Sequence, residues 1–385
     1  MGSKIVFINQ ATGYLTIDVI NVFARKFDQV ALITGSIRIQ NNNLDPKVKV
    51  SRILKYNRGS NFKKAFSWLI GTIQILWLLK TKYNNFEAVF YTIPPTAYLL
   101  ASHLISNYTI VVFDLYPDVL KVNGFTEKGL FYRWWAKKNK MIFSKAHKIL
   151  TLSHSMKSQI LSYSPDADVI VISNWSAFSG YKPVKKENNS IIRREGLKGK
   201  FIIQYSGNIG VTHNVETLIE IADRLKHKTG LMFQIIGRGE RVHAIRDLIR
   251  LRQLNNCCLL PFRRDEELYE SLCVADLSVI ILDNLTDDIS VPSKIYNIMA
   301  AGLPVMAIAP NPSGLSEIIK LHKIGKSFEK TRLDEMSDYI IELRNDKLLW
   351  KALSDNSLLA ASNYTYKNAF KYFSNYIGVN SDHLR

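Results

Sequence analysis

A chain of 385 residues exceeds one ordinary core, and its 47% hydrophobic content suffices for two, so two domains of roughly 150–200 residues each are expected. The formal charge of +18, from 51 Lys and Arg against 33 Asp and Glu, calls for an anionic partner. No RNP, zinc-finger or helix-turn-helix signature supports nucleic acid, and the basic residues read as spread along the chain instead of gathered in one arm. Cys257, Cys258 and Cys273 cannot all pair and have no metal-binding spacing, and the opening residues read as neither signal nor anchor, which together suit a cytoplasmic protein.

Apolar β-type runs alternate with helix-period segments throughout, the pattern of βα units and parallel sheets. The first series places strands at 4–9, 29–34, 88–91, 110–113, 149–152 and 169–172. After the first strand comes Asn9-Gln10-Ala11-Thr12-Gly13-Tyr14, a loop with one glycine. Residues 66–79 are the most apolar stretch, bracketed by Lys63, Lys64, Lys80 and Lys82 and too short to span a bilayer. They form either a buried core helix or one whose Trp68, Trp77 and lysines rest on an anionic membrane face. Residues 181–199 turn polar and charged, as a linker between domains would.

A second series places strands at 201–205, 232–236, 258–260, 277–281 and 305–309. The first of these runs into Ser206-Gly207-Asn208-Ile209-Gly210, after which Val215, Leu218, Ile219, Ala222 and Leu225 repeat at helical spacing. A glycine turn opening a helix offers N–H groups to a phosphate, although a plain βα turn looks the same. A second glycine turn, Gly237-Arg238-Gly239, places Arg238 at the carboxyl edge of the sheet, where ligands of open α/β sheets bind. The third segment holds a short helix between Ser293 as N-cap and Gly302 as stop, with Lys294 and Asn297 on its polar face. A lysine at a helix N-terminus adds to the dipole's positive end, which an anion there would relieve. Aromatic residues Tyr364, Phe370, Tyr372, Phe373 and Tyr376 suggest a final packed helix over 363–377.

The runs Tyr205-Ser206-Gly207-Asn208-Ile209-Gly210, Ile236-Gly237-Arg238-Gly239 and Val291-Pro292-Ser293-Lys294-Ile295-Tyr296, followed by Ala300-Ala301-Gly302-Leu303-Pro304-Val305, resemble the retaining glycosyltransferase family 4 over residues 201–325. Within it the chain is most similar to bacterial enzymes that build lipopolysaccharide, capsule or exopolysaccharide. Asp114-Leu115-Tyr116-Pro117-Asp118 resembles their D-L-W-P-E segment, and Ser173-Asn174-Trp175 their interdomain hinge.

The resemblance implies an α/β, GT-B fold of two facing Rossmann-like domains, with 1–180 and about 360–385 binding the acceptor, 181–359 binding the donor, and a last helix crossing back. It implies a nucleotide diphosphate sugar as donor, UDP-linked, and a polyprenyl-diphosphate-linked or oligosaccharide acceptor. It places Gly207, Asn208 and Gly210 near the donor phosphates, Lys294 on the diphosphate with Ser293 and Arg238 beside it, Pro261-Phe262-Arg263 bordering the base and Gly13 across the cleft. The family's paired glutamates fall on Ile289 and Asn297, of which only Asn297 keeps a hydrogen-bonding group for a ribose. Asp287 or Asp288 is left to help orient the donor.

Departure of the diphosphate is expected to be stabilised by fixed cations, with Asp118 or Asp114 orienting or deprotonating the acceptor hydroxyl. No D-x-D triad sits in a loop after a strand to suggest a bound metal, and no cofactor is expected. An epimerase of the same architecture and a non-catalytic basic membrane adaptor are the alternatives. The expected location is cytoplasmic, peripheral on the inner face of the membrane.

Overall fold

The computed structural model describes residues 3–57, 59–210, 213–282 and 292–378. The chain divides into two units, Met1–Ala177 with Tyr366–Arg385 and Phe178–Thr365.

In the first unit, strands β1 (Lys4–Ile8), β3 (Gln29–Thr34), β5 (Lys49–Arg52), β6 (Glu87–Tyr91), β7 (Tyr108–Val112), β8 (Lys148–Thr151) and β9 (Val169–Val171) form one parallel sheet. Their order is β5-β3-β1-β6-β7-β8-β9, and a two-strand ladder joins β2 (Ala11–Thr12) to β4 (Ser36–Ile37). The central strands are buried on both faces, which is why they read as continuous apolar runs. β5 was not foreseen: its sequence Lys-Val-Ser-Arg buries only Ser51, because it lies at the sheet's edge.

Helices α1 (Tyr14–Ala24), α2 (Asn61–Thr81), α3 (Pro95–Ala101), α4 (Leu130–Phe143) and α5 (His154–Tyr163) connect these strands. α2 is anchored at Ser60, whose hydroxyl accepts from the Lys63 N–H, and buries Trp68, Ile75, Leu78 and Leu79. Trp68 therefore belongs to the core, whereas Trp77 lies outside. The last helix among the described residues, Asn368–Ile377, returns to this unit and packs on α1, with Phe373 and Tyr376 against Phe23 at centroid distances of 5.1 and 5.3 Å. Trp175 is buried and donates its indole N–H to Asp18 at 2.8 Å, tying the end of the N-terminal segment to α1.

In the second unit, β10 (Phe201–Asn208), β11 (Leu231–Arg238), β12 (Cys257–Leu260), β13 (Leu277–Ile281), β14 (Val305–Ile308) and β15 (Gly325–Phe328) form a parallel sheet of order β12-β11-β10-β13-β14-β15. β15 is another unforeseen edge strand, with Phe328 as its one buried side chain. Its helices are α6 (Ser190–Arg194), α7 (Glu216–Arg224), α8 (Val242–Leu251), α9 (Leu268–Leu272), α10 (Lys294–Ala300), α11 (Gly314–His322), α12 (Leu333–Asn345) and α13 (Lys347–Ala361), and the returning helix is α14. The expected linker over 181–199 is only partly one. Asn189 caps α6 through its side chain, and Ile191, Ile192 and Leu197 pack on Ile202 and Val274 of the second unit.

Candidate functional site

β10 and β11 stay paired from Phe201 opposite Leu231 to Asn208 opposite Arg238, so Gly207 stands beside Gly237. A Cβ on Gly237 would lie 2.1 Å from the Gly207 carbonyl oxygen, and one on Gly239, whose φ is +155°, would lie 2.2 Å from the Ile209 oxygen. These two glycines let the strand ends close on each other. Both expected glycine turns thus begin as strand: β10 runs through Asn208 and β11 through Arg238, and α7 starts only at Glu216.

At Gly207 the missing Cβ makes room for a side chain. A Cβ there would come within 2.9 Å of Lys294 Nζ. Lys294 opens α10, and its ammonium stands 4.5 Å from the centroid of the Tyr205 ring. Tyr205 is fully buried and donates its hydroxyl to the Asn208 carbonyl at 2.6 Å. Lys294, Gly207 and Asn208 are therefore brought together at the carboxyl end of β10. Desolvation pushes the Lys294 amine down to about 8, and no carboxylate among the described residues offsets it. A ring face returns only about 0.5–2 kcal/mol to a cation, less than burial of a charge costs. Among the described residues the site lacks a negative charge to match it.

Asn297 lies one helical turn after Lys294 and is partly buried. Ser293 occupies the N-cap position but is exposed and makes no capping hydrogen bond, so its expected role in delimiting α10 is not played by its hydroxyl. Gly302 does end the segment, at φ +69°. Ile289, Asp287 and Asp288 lie outside the described residues. A Cβ on Gly210 would meet the Asn208 amide nitrogen at 2.8 Å.

Arg238 and Phe262 also meet: the exposed guanidinium lies 5.2 Å from the centroid of the Phe262 ring, which is 41% exposed. Arg263 instead turns to Glu195, at 2.6 Å. A cavity of about 220 Å³ opens beyond β13, β14 and β15, lined by Asn214, Asn311, Glu329 and Lys330 among others. These polar residues, and Tyr205, were missed. β15 carried no strand signal, and a tyrosine two residues before a glycine reads as core until the lysine above it is seen. No group of three or more His, Cys, Asp or Glu side chains able to hold a metal occurs among the described residues.

In the first unit Gly13 precedes α1 and lines a cavity of about 150 Å³ with Asn9, Tyr14, Thr92 and Phe113, at the carboxyl ends of β1, β6 and β7. A Cβ on Gly13 would meet nothing within 4 Å. Asp114 is partly exposed, and its N–H donates to Thr92 Oγ1 at 3.3 Å. Asp118 is only 8% exposed, accepts from the hydroxyls of Tyr132 at 2.7 Å and Tyr163 at 2.6 Å, and lies 2.9 Å from the Lys121 ammonium. The two aspartates, four residues apart, have different environments: one at the carboxyl end of β7, the other enclosed by phenols.

Residues 187–359 match the family described as Glycosyl transferases group 1. The chain is 28% identical over 227 residues to the probable glycosyltransferase WbjE of Pseudomonas aeruginosa, covering 57% of this chain and 55% of that protein. It is 31% identical over 157 residues to the putative colanic acid biosynthesis glycosyl transferase WcaI of Escherichia coli (strain K12), covering 40% of this chain and 38% of that one. The chain thus spans about half or less of the curated relatives it matches. Among solved structures, Anabaena Alr3699/HepE in complex with UDP and glucose aligns with TM-score 0.74 at 14% identity over 98% of this chain and 99% of that one. WaaG, a glycosyltransferase involved in lipopolysaccharide biosynthesis, aligns with TM-score 0.70 at 13% identity over 96% and 98%. The fold is that of the GT-B glycosyltransferases, two Rossmann-like domains built on parallel sheets.

Proposed function

We propose that the protein is a glycosyltransferase of the retaining family 4 type, moving a sugar from a nucleotide diphosphate donor, UDP-linked, to a lipid-linked or saccharide acceptor in surface polysaccharide synthesis. The observation that carries this reading is the Lys294 ammonium, desolvated beside Gly207 and Asn208 with no described counter-charge. A departing diphosphate supplies that counter-charge, and gains more from it as the anomeric C–O bond breaks. The UDP in the Anabaena HepE structure supports the nucleotide, and the names of WbjE, WcaI and WaaG support the class of product.

In this reading Lys294 and Arg238 take the diphosphate charge, Phe262 borders the base, Asn297 bonds a ribose hydroxyl, and Ser293, Gly207 and Gly210 leave the phosphates room. Gly13 lets the loop after β1 approach the diphosphate. Asp114, partly exposed at the carboxyl end of β7, orients the acceptor hydroxyl and takes its proton as that oxygen bonds the anomeric carbon and the bond from this carbon to the diphosphate oxygen breaks. Asp118 holds the segment in place through its phenols. The protein works at the inner face of the cytoplasmic membrane. Calorimetric titration with UDP tests the reading: wild type binds, and Lys294→Ala binds at least about tenfold more weakly. Equal affinity in both, or none in wild type, overturns it.

A further inference from the structure

The excess positive charge is concentrated, contrary to the reading of a basic chain throughout. Residues 46–86 hold nine lysines and arginines and residues 128–165 hold eight, with no acidic residue in either stretch. Of the 51 bases these are 17, which leaves 34 against the chain's 33 acids. Almost the whole of the +18 therefore belongs to two stretches, one running from β5 through α2 and the other from α4 through β8 and α5.

The fold sets those stretches close together. Right-handed crossovers put α2, α3 and α4 on one side of the sheet, and α3 packs on both of the others. Their inner faces share one core, in which Tyr116 stands between Trp68 of α2 and Trp135 of α4 at centroid distances of 5.5 and 5.8 Å. Their outer faces are apolar as well. Phe62, Phe66, Leu69, Ile73 and Trp77 follow each other along α2 at three- and four-residue spacing, all exposed. α4 adds Leu130, Phe131 and Trp134, and the two extremes, Phe62 and Leu130, are 80% and 84% exposed. Exposed Lys63 and Lys80 border the first stripe, and Arg133, Lys137 and Lys140 lie on α4 itself.

We propose that this α2–α4 face docks on an anionic lipid bilayer, with Leu130, Phe131 and Trp134 as a second insertion point beside the α2 stripe. Charge selects the occupant. Two copies of the chain meeting here would press two strongly positive faces together, whereas an anionic headgroup layer attracts the bases while its acyl boundary takes the rings. No helix among the described residues is long and apolar enough to cross a membrane, so both helices lie in the interface plane. The inference deepens the proposed membrane attachment and does not depend on sugar transfer.

Sedimentation of the full chain with phosphatidylcholine vesicles, with and without phosphatidylglycerol, tests it. Wild type is expected to bind only the phosphatidylglycerol vesicles and to be released by salt. Leu130→Ser weakens partitioning about tenfold, and Lys137→Gln about fivefold. Both side chains are exposed, and thermal unfolding of each variant, with UDP titration alongside, shows that the fold persists. Vesicle binding by Leu130→Ser equal to wild type overturns the proposal, as does a wild-type dimer that this substitution disperses without any vesicle binding. Loss of UDP binding with intact vesicle binding would count against the donor reading alone.

Discussion

Asp118 in the first unit and Lys294 in the second are both charges drawn out of water, and the protein treats them in opposite ways. Around Asp118 two phenols donate and a lysine stands at 2.9 Å, so loss of hydration is offset within the chain. Burial, and after it the nearby carboxylate, pushes the Tyr163 phenol far above its ordinary value, which keeps it a donor at any working pH. Around Lys294 the described residues supply a ring face and a strand end, and desolvation wins. A desolvated charge with partners beside it in the chain holds the architecture, and one without a counter-charge among the described residues points to where an anion fits.

The largest expected effect breaks the second half of that contrast. Lys294→Ala removes the cation meant for the leaving diphosphate, so the transfer rate should fall by about 100- to 1000-fold. Its melting temperature should stay level or rise, since a desolvated ammonium goes with it. A rate unchanged within a factor of about three would end the donor role of Lys294.

Next in size is a paired test at the strand ends. Gly237→Ala drives a Cβ into a backbone oxygen at 2.1 Å and should destabilise the second unit by about 3 kcal/mol, read by thermal or urea unfolding. Gly207→Ala meets the movable end of Lys294 at 2.9 Å and the Tyr205 hydroxyl at 3.3 Å, with no backbone atom among its nearest contacts, so stability should fall by about 1 kcal/mol, well short of the Gly237 variant, while UDP affinity drops. The reverse pattern would assign the glycines the other way round.

Asp118→Asn sharpens the first half. An amide offers one acceptor oxygen where the carboxylate has two, and it loses the ion pair with Lys121, so stability should fall by about 2 kcal/mol. Transfer by the folded fraction should stay within about threefold of wild type. A hundredfold loss at unchanged stability would instead make Asp118 the group that handles the acceptor hydroxyl.

Much of this was legible before any coordinates. Central strands announce themselves because both faces are buried, so 29–34 and 277–281 are read to the residue. The edge strands β5 and β15 escaped, since a strand that buries one side chain leaves no periodic apolar signal. Glycines flagged Gly207 and Gly237 alike, yet a sequence cannot say which one clears a backbone and which a side chain. The encounters of Lys294 with Tyr205, and of Arg238 with Phe262, join side chains from separate elements and follow from strand order. Asp118 and Asp114 were interchangeable on paper because the phenols that separate them stand on α4 and α5.

The smallest effect concerns protons. The amine of unliganded Lys294 titrates at about 8, whereas an unfolded lysine does so near about 10.4. Above pH 8 the free site loses its ammonium and a bound diphosphate restores it, so binding takes up a proton. UDP affinity should be flat up to about pH 8 and then fall by up to about tenfold per unit. Stability without ligand should move the other way: the unfolded chain holds the extra proton in that window, so unfolding becomes harder as pH rises from 8 towards 10.4. Calorimetry in buffers of different ionisation enthalpy measures the uptake, and Lys294→Ala should abolish both slopes. An affinity that does not change with pH in wild type would mean that Lys294 already has its counter-charge before the donor arrives.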